Sequence, residues 1–145
     1  MQYNASQDIR TVRRYFIGTT VLRRGQILHY NELATKTDAT PELRLGQAVE
    51  AVNTDNVKFF AGVVSDSDAG KTGPCFVEVL CPQSGDVLDA EADGTTDIAI
   101  GDFLEPDGTL GALIDGSEAA GDNLFVAMEA YTTDAAKLAI RVLKI

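Results

Sequence analysis

Pro74-Cys75-Phe76-Val77-Glu78-Val79-Leu80-Cys81, followed at once by Pro82-Gln83-Ser84-Gly85, is the stretch that decides the fold class. Cys75, Val77, Val79 and Cys81 alternate with Phe76, Glu78 and Leu80, the period-2 pattern of a strand with one buried face. Val and Phe favour an extended backbone, and the Pro and Gly that bound the run punctuate it at both ends. The two cysteines lie on the same face. Six residues at about 3.3 Å each put them about 20 Å apart, and a disulfide needs Cα atoms within about 7 Å. The expectation is therefore two buried, unbridged thiols.

Working outward, the same grammar repeats. Tyr15-Phe16-Ile17 precedes Gly18, and Ile27-Leu28-His29-Tyr30 follows Gly25. Residues 48–52 and 59–64 flank a polar Asn53-Thr54-Asp55-Asn56 turn, which reads as a hairpin. Phe103-Leu104-Glu105 and Thr109-Leu110-Gly111 bracket Pro106-Asp107-Gly108, a second hairpin, because Gly supplies the positive φ of the turn. Residues 124–131 and 138–145 form the last one. Alternation selects Val77, Val79, Val126, Met128, Ile140 and Val142 as core. Residues 48–55 echo residues 127–134, but the region between shows no matching echo, so two hairpins under like constraints account for it better than a duplication.

With 145 residues, 45 % hydrophobic and 23 % charged, the composition is that of a globular chain rather than a disordered one. No stretch reaches the roughly 18–20 apolar residues that span a bilayer. Residues 1–8 lack the apolar core of a signal peptide, so synthesis in the cytoplasm is the expectation. The expected fold is mostly β: a small single-domain β-barrel or β-tulip at 15–145, preceded by an extended N-terminal arm at 1–14.

Charge is divided unevenly along this chain. Residues 72–136 hold 14 Asp and Glu and no Lys or Arg, whereas Arg10, Arg13, Arg14, Arg23 and Arg24 fall within the first 24 residues against a single Asp8. Such patterning bears on association rather than on fold. The five arginines are the candidate contacts to an acidic partner. A net charge of −10 argues against nucleic acid as that partner, because such affinity comes from neutralising phosphates.

The chemical motifs fail against their own mechanisms. His29 is the only histidine, in an apolar run without a nucleophile motif, so a structural role is expected. Gly70-Lys71-Thr72 resembles the end of a phosphate loop, but Ser65 stands where its first glycine belongs, and Gly73-Pro74 and a strand follow in place of a helix. Asp89, Glu91, Asp93 and Asp97 match the opening of a calcium loop with Gly94 at its sixth position. The closing carboxylate is missing, since Ile100 occupies the twelfth position, and an acidic surface loop is the plainer reading. No enzymatic activity and no cofactor are expected.

The order Gly62-Val63-Val64, Asp68-Ala69-Gly70, strand 76–80, Gly101-Asp102, Asp107-Gly108, Val126-Ala127-Met128-Glu129-Ala130 and Ile140-Arg141-Val142-Leu143 resembles the small capsid decoration (cement) proteins of tailed bacteriophages. The likeness covers residues 44–145. It implies a β-barrel or β-tulip virion protein that binds the outer capsid surface and stabilises the shell. The partners implied are the major capsid protein and the chain itself, as a homotrimer or a dimer, with no membrane contact and no catalytic residues. Competing expectations are a tail or head-completion protein, a calcium-dependent β binding module using the four carboxylates, and a small hydrolase built on His29.

Overall fold

A computed structural model describes residues 9–30, 48–51, 60–93, 97–106, 112–116, 123–132 and 138–145. The protein is mostly β. The strands among the described residues are β1 (Thr11–Phe16), β2 (Ile27–Tyr30), β3 (Ala48–Ala51), β4 (Phe60–Val64), β5 (Cys75–Leu80), β6 (Val87–Ala92), β7 (Phe103–Pro106), β8 (Leu113–Asp115), β9 (Phe125–Ala127) and β10 (Leu138–Lys144). The period-2 runs of the sequence become β2, β4, β5, β7 and β10. Val77, Val79, Ile140 and Val142 are buried as the alternation demands.

The strands close into two five-stranded rings, one of β1 to β5 and one of β6 to β10. The first runs β1-β3-β2-β4-β5 and the second β6-β8-β7-β9-β10, so the second ring repeats the first strand for strand. In each, the first and third strands pair parallel and every other pairing is antiparallel. Register repeats as well. Val63 lies opposite Ile27 and Leu80, and Val126 lies opposite Phe103 and Leu143. Phe16 lies opposite Val49 and Cys75, and Ala92 lies opposite Leu113 and Leu138.

Even the connections match. Gly25 and Gly101 both take positive φ (78° and 94°), and their N–H groups donate to Val64 O at 3.0 Å and Ala127 O at 2.8 Å. Arg23 N–H donates to Gln26 Oε1 at 3.1 Å, as Ala99 N–H donates to Asp102 Oδ2 at 2.7 Å. Cys81 N–H donates to Arg10 O and Lys144 N–H to Asp86 O, each at 2.8 Å.

An internal repeat therefore exists, in a different frame from the sequence echo. The echo matches β3 to residues 127–130, yet β3 corresponds to β8 and β9 to β4. The hairpin expected of residues 48–64 is absent for the same reason: β2 lies between β3 and β4 and pairs with both. β7 pairs antiparallel with the next strand, β8 at 113–115, while residues 109–111, expected as the second strand of that hairpin, lie outside the described residues.

The two rings fill their interiors differently. Phe16 on β1 occupies the first, where Gly18 and Gly73 leave room, since a Cβ on either would stand 2.5 Å or 2.6 Å from its ring; Phe125 on β9 occupies the second, where Ala92 holds the place of Phe16. Both phenylalanines are fully buried. That choice corrects the expected core on β9. The large ring turns inward with Ala127, so Val126 is half-buried on the opposite face and Met128 is exposed at 45 %. A one-residue difference in phase exchanges the two faces of a strand. Cys75 and Cys81 share one face as expected, but both are half-buried free thiols rather than fully buried ones.

One apolar cluster joins the rings. Ile27, Val63 and Leu80, on the outer face of the first ring, pack with Leu88, Ala90, Phe125 and Ile140 of the second. This is why β2 and β4 are buried on both faces, with Leu28 and Val64 belonging to the interior cluster of the first ring. The boundary expected after residue 14 falls inside β1, because Thr11 to Arg14 are ladder residues paired with β5. Residues 1–8 of the expected arm lie outside the described residues.

Gly25 and its counterpart Gly101 give a paired test. A Cβ on Gly25 would stand 2.9 Å from Glu91 N and 3.1 Å from Ala90 backbone atoms, whereas one on Gly101 would meet nothing within 4 Å. Both substitutions carry about 1–2 kcal/mol for a left-handed alanine. Urea unfolding should show Gly25→Ala clearly more destabilised than Gly101→Ala. Equal losses would mean that the turn does not sit tightly on β6.

Candidate interaction surfaces

The five arginines separate into two groups. Arg23 and Arg24 lie in the turn before β2, which rests on β6, and Glu91 N–H donates to Gly25 O at 2.9 Å. The Arg23 guanidinium Nε donates to both carboxylate oxygens of Glu91 at 2.9 Å. The Glu91 side chain is 4 % exposed and that of Arg23 36 %, so the acid is buried while its partner keeps contact with water. Arg24 bridges Asp66 and Asp89, the latter at 2.8 Å. These two residues, expected to reach for an external partner, bind the rings of one molecule together. A buried carboxylate is tolerable only when paired, and Glu91 obtains its partner 68 positions away.

The same contacts account for the calcium candidates. Asp89 and Glu91 are strand residues of β6, not members of a loop, and arginines hold both. Asp93 is buried just beyond the strand, and Asp97 is exposed. Among the described residues no group of three or more His, Cys, Asp or Glu is gathered as a metal site would require. His29 is buried in the wall of the first ring, opposite Glu50 and Phe60 in register.

Arg10, Arg13 and Arg14 remain near the start of β1. Arg13 projects from the outer face, its guanidinium carbon 4.7 Å from the centre of the Phe76 ring. Phe76 is 52 % exposed and meets Tyr15 edge-on at 5.1 Å. Arg14 turns the other way: its Nε and Nη2 both donate to Tyr30 Oη at 3.4 Å. Burial pushes the Cys81 thiol up, and the charges of Arg10 and Arg14 pull it partly back. The outcome is a raised pKa, which keeps the thiol protonated and poorly nucleophilic at neutral pH.

A buried acid holds the β4–β5 connection. Asp68, 1 % exposed, accepts Glu78 N–H at 2.6 Å and pairs with Lys71 Nζ at 2.6 Å. That pairing raises the Lys71 pKa. Glu129 does the equivalent work in the second ring by accepting Arg141 N–H at 2.9 Å. Gly70-Lys71-Thr72 is thereby a turn tied to its own strand, as the sequence implies.

No protein-family model matches this chain, and no curated protein matches it. Among solved structures it is similar to the crystal structure of the head fiber gp8.5 N base in bacteriophage phi29, with a TM-score of 0.50 and 16 % sequence identity. The match covers 94 % of this chain and 98 % of that one, so the likeness embraces both rings. At this identity it is a likeness of fold.

The Arg23–Glu91 pair can be tested by removing its halves separately and together. Arg23→Met leaves the Glu91 carboxylate buried without its partner and should cost about 2 kcal/mol, below the range for fully buried pairs because Arg23 is partly solvated. Arg23→Met with Glu91→Met should recover most of the loss in a double-mutant cycle read by chemical denaturation. Additive losses would show that the two side chains do not act as a pair.

Proposed function

We propose that this chain is a structural protein of a bacteriophage head that binds the outer surface of the capsid and stabilises the shell, without catalysis or a cofactor. The observation that carries the reading is the fold likeness to a phage head fiber base over nearly the whole of both chains. The order of short motifs in residues 44–145 supports it independently, since it resembles capsid decoration proteins. The partners on this reading are the major capsid protein and further copies of the chain, in a homotrimer. The chain works on the virion exterior after synthesis in the host cytoplasm.

On this reading the basic groups that serve the capsid lie near the start of β1. Arg23 and Arg24 are paired with carboxylates within the molecule, so the reading rests on Arg10, Arg13 and Arg14 around the start of β1, with residues 1–8 leading into them. Carboxylates on the shell are the complementary groups. Long-range attraction steers the encounter, and the acidic remainder of the chain repels other copies in solution. A second reading follows from the same likeness: the chain is the base by which a longer fibre attaches to a head.

Sedimentation with purified heads stripped of their external proteins tests the proposal. The intact chain should co-sediment and raise the temperature at which the heads release DNA. Truncation of residues 1–8 leaves β1 intact and should lower occupancy. Arg10→Ala with Arg14→Gln should weaken binding by up to about tenfold at low salt, since each exposed pair is worth about 0–1 kcal/mol, with the deficit shrinking as salt rises. No binding of the intact chain would refute the proposal. Binding without added thermal resistance of the heads would favour the fibre-base reading.

A further inference from the structure

The outer face of β1 and β5 brings together Arg13, Tyr15, Phe76 and Glu78. Tyr15 lies opposite Phe76 and Arg13 opposite Glu78, so strand alternation puts all four side chains on one side of the sheet. Arg13 and Glu78 are exposed, and Phe76 is 52 % exposed. An open phenyl ring flanked by a tyrosine and an arginine has the composition of an interface centre, where aromatic residues and Arg are enriched.

Most cations among the described residues are engaged within the molecule. Arg14 donates to Tyr30, Arg23 and Arg24 pair with acids, Lys71 pairs with Asp68, and Lys144 donates to the Ile145 carbonyl. Arg13 instead lies over the Phe76 ring and makes no ion pair among the described residues, although Glu78 stands opposite it. A ring contact takes none of the five N–H donors of a guanidinium. Those donors remain for an outside acceptor, and a carboxylate is the group that meets the planar fork with two parallel bonds. The Phe76 ring is poorly placed to stack on a sugar or a base, because Arg13 already lies over it and Tyr15 packs against it.

The second ring shows that acids at these strand positions take a charged segment. Asp89 and Glu91 on β6 hold the places of Arg13 and Tyr15 on β1, and they bind Arg24 and Arg23 of the turn at residues 23–25. On β1 the charge is reversed, so the complementary segment is acidic. Glu78 opposes it: standing opposite Arg13, its carboxylate repels an incoming one. Its backbone is held independently of its side chain, since Glu78 N–H donates to Asp68 Oδ2 at 2.6 Å. Neutralising Glu78 therefore reports the sign of the partner's charge.

We propose that the outer face of β1 and β5 is the docking site for an acidic segment of the capsid shell protein. The carboxylate of an Asp or Glu in that segment seats on Arg13, and an apolar neighbour in the same segment rests against Phe76 and Tyr15. The inference rests on the capsid reading and names the contact that serves it. Arg14 has no part in it, because its guanidinium turns to Tyr30 on the other side of the sheet. Phe76 acts twice, by holding Arg13 in place and by offering apolar surface that salt does not screen.

The test is the affinity of the full chain for purified heads stripped of their external proteins, measured by sedimentation at low and at high salt. Arg13→Gln and Phe76→Ala should each weaken binding about tenfold at low salt, the size of an interface hot spot. Far-UV circular dichroism should stay unchanged, since both side chains are exposed. The Arg13→Gln deficit should shrink at high salt, and that of Phe76→Ala should persist in part. Phe76→Tyr keeps the ring beneath Arg13 and should bind as the intact chain does. Glu78→Gln should tighten binding, with the gain fading as salt rises. Undiminished binding by both Arg13→Gln and Phe76→Ala would overturn the docking site and leave the capsid reading standing. So would weaker binding by Glu78→Gln, which would place a basic group of the shell against this face. Failure of the intact chain to bind heads overturns the capsid reading, and the docking site with it.

Discussion

The docking of the turn at residues 23–25 on β6 is the constraint from which the rest of this structure follows. It requires a glycine at position 25, because the chain approaches the backbone of Ala90 and Glu91 too closely for a side chain. In return the Gly25 carbonyl receives the Glu91 N–H, Arg23 receives the Glu91 carboxylate, and Arg24 spans Asp66 and Asp89. With the turn in place, the Ile27, Val63 and Leu80 row is pressed against the second ring and becomes core. Two five-stranded rings, each too small for much interior of its own, thereby share one apolar cluster.

The repeat shows how loosely side chains need to agree for one architecture to recur. Strand order, pairing sense, register and the hydrogen bonds of the connecting turn are common to both rings. The bulky residue that fills each interior is not: Phe16 comes from the first strand of its ring, and Phe125 from the fourth. Volume is conserved while its source moves, as close-packed interiors allow. Outer faces have diverged further, ionic where the rings meet and apolar where they face outward. A fold likeness at 16 % identity therefore says little of what the surface binds, and function has to be argued from the groups displayed there.

Chemistry is largely turned inward in the described parts of this molecule. The acids that resemble a calcium loop are strand residues held by arginines, the single histidine lies in a barrel wall, and burial holds the Cys81 thiol above its ordinary range. What remains outward is recognition: arginines at one end of the first ring, an aromatic face on β1 and β5, and an apolar face on the second ring.

Local sequence determined the class of fold and much of its inventory. Period-2 runs mark β2, β4, β5, β7 and β10, since alternation and β-branched side chains act within a few residues. Gly25 and Gly101 announce turns for the same local reason. Tertiary structure alone decided the rest. Whether β3 pairs with β4 or with β2 depends on ring closure between distant segments, which no hairpin rule expresses. Val126 reads as core because apolar residues alternate along its strand, yet Phe125 and Ala127 are the residues that face inward, and Val126 stands half-buried on the opposite face. Arg23 and Arg24 read as free charge because Glu91, Asp66 and Asp89 stand 42 to 68 positions away in sequence. Ion pairs of that separation leave no periodic trace along the chain; they exist only once folding has brought the two rings together.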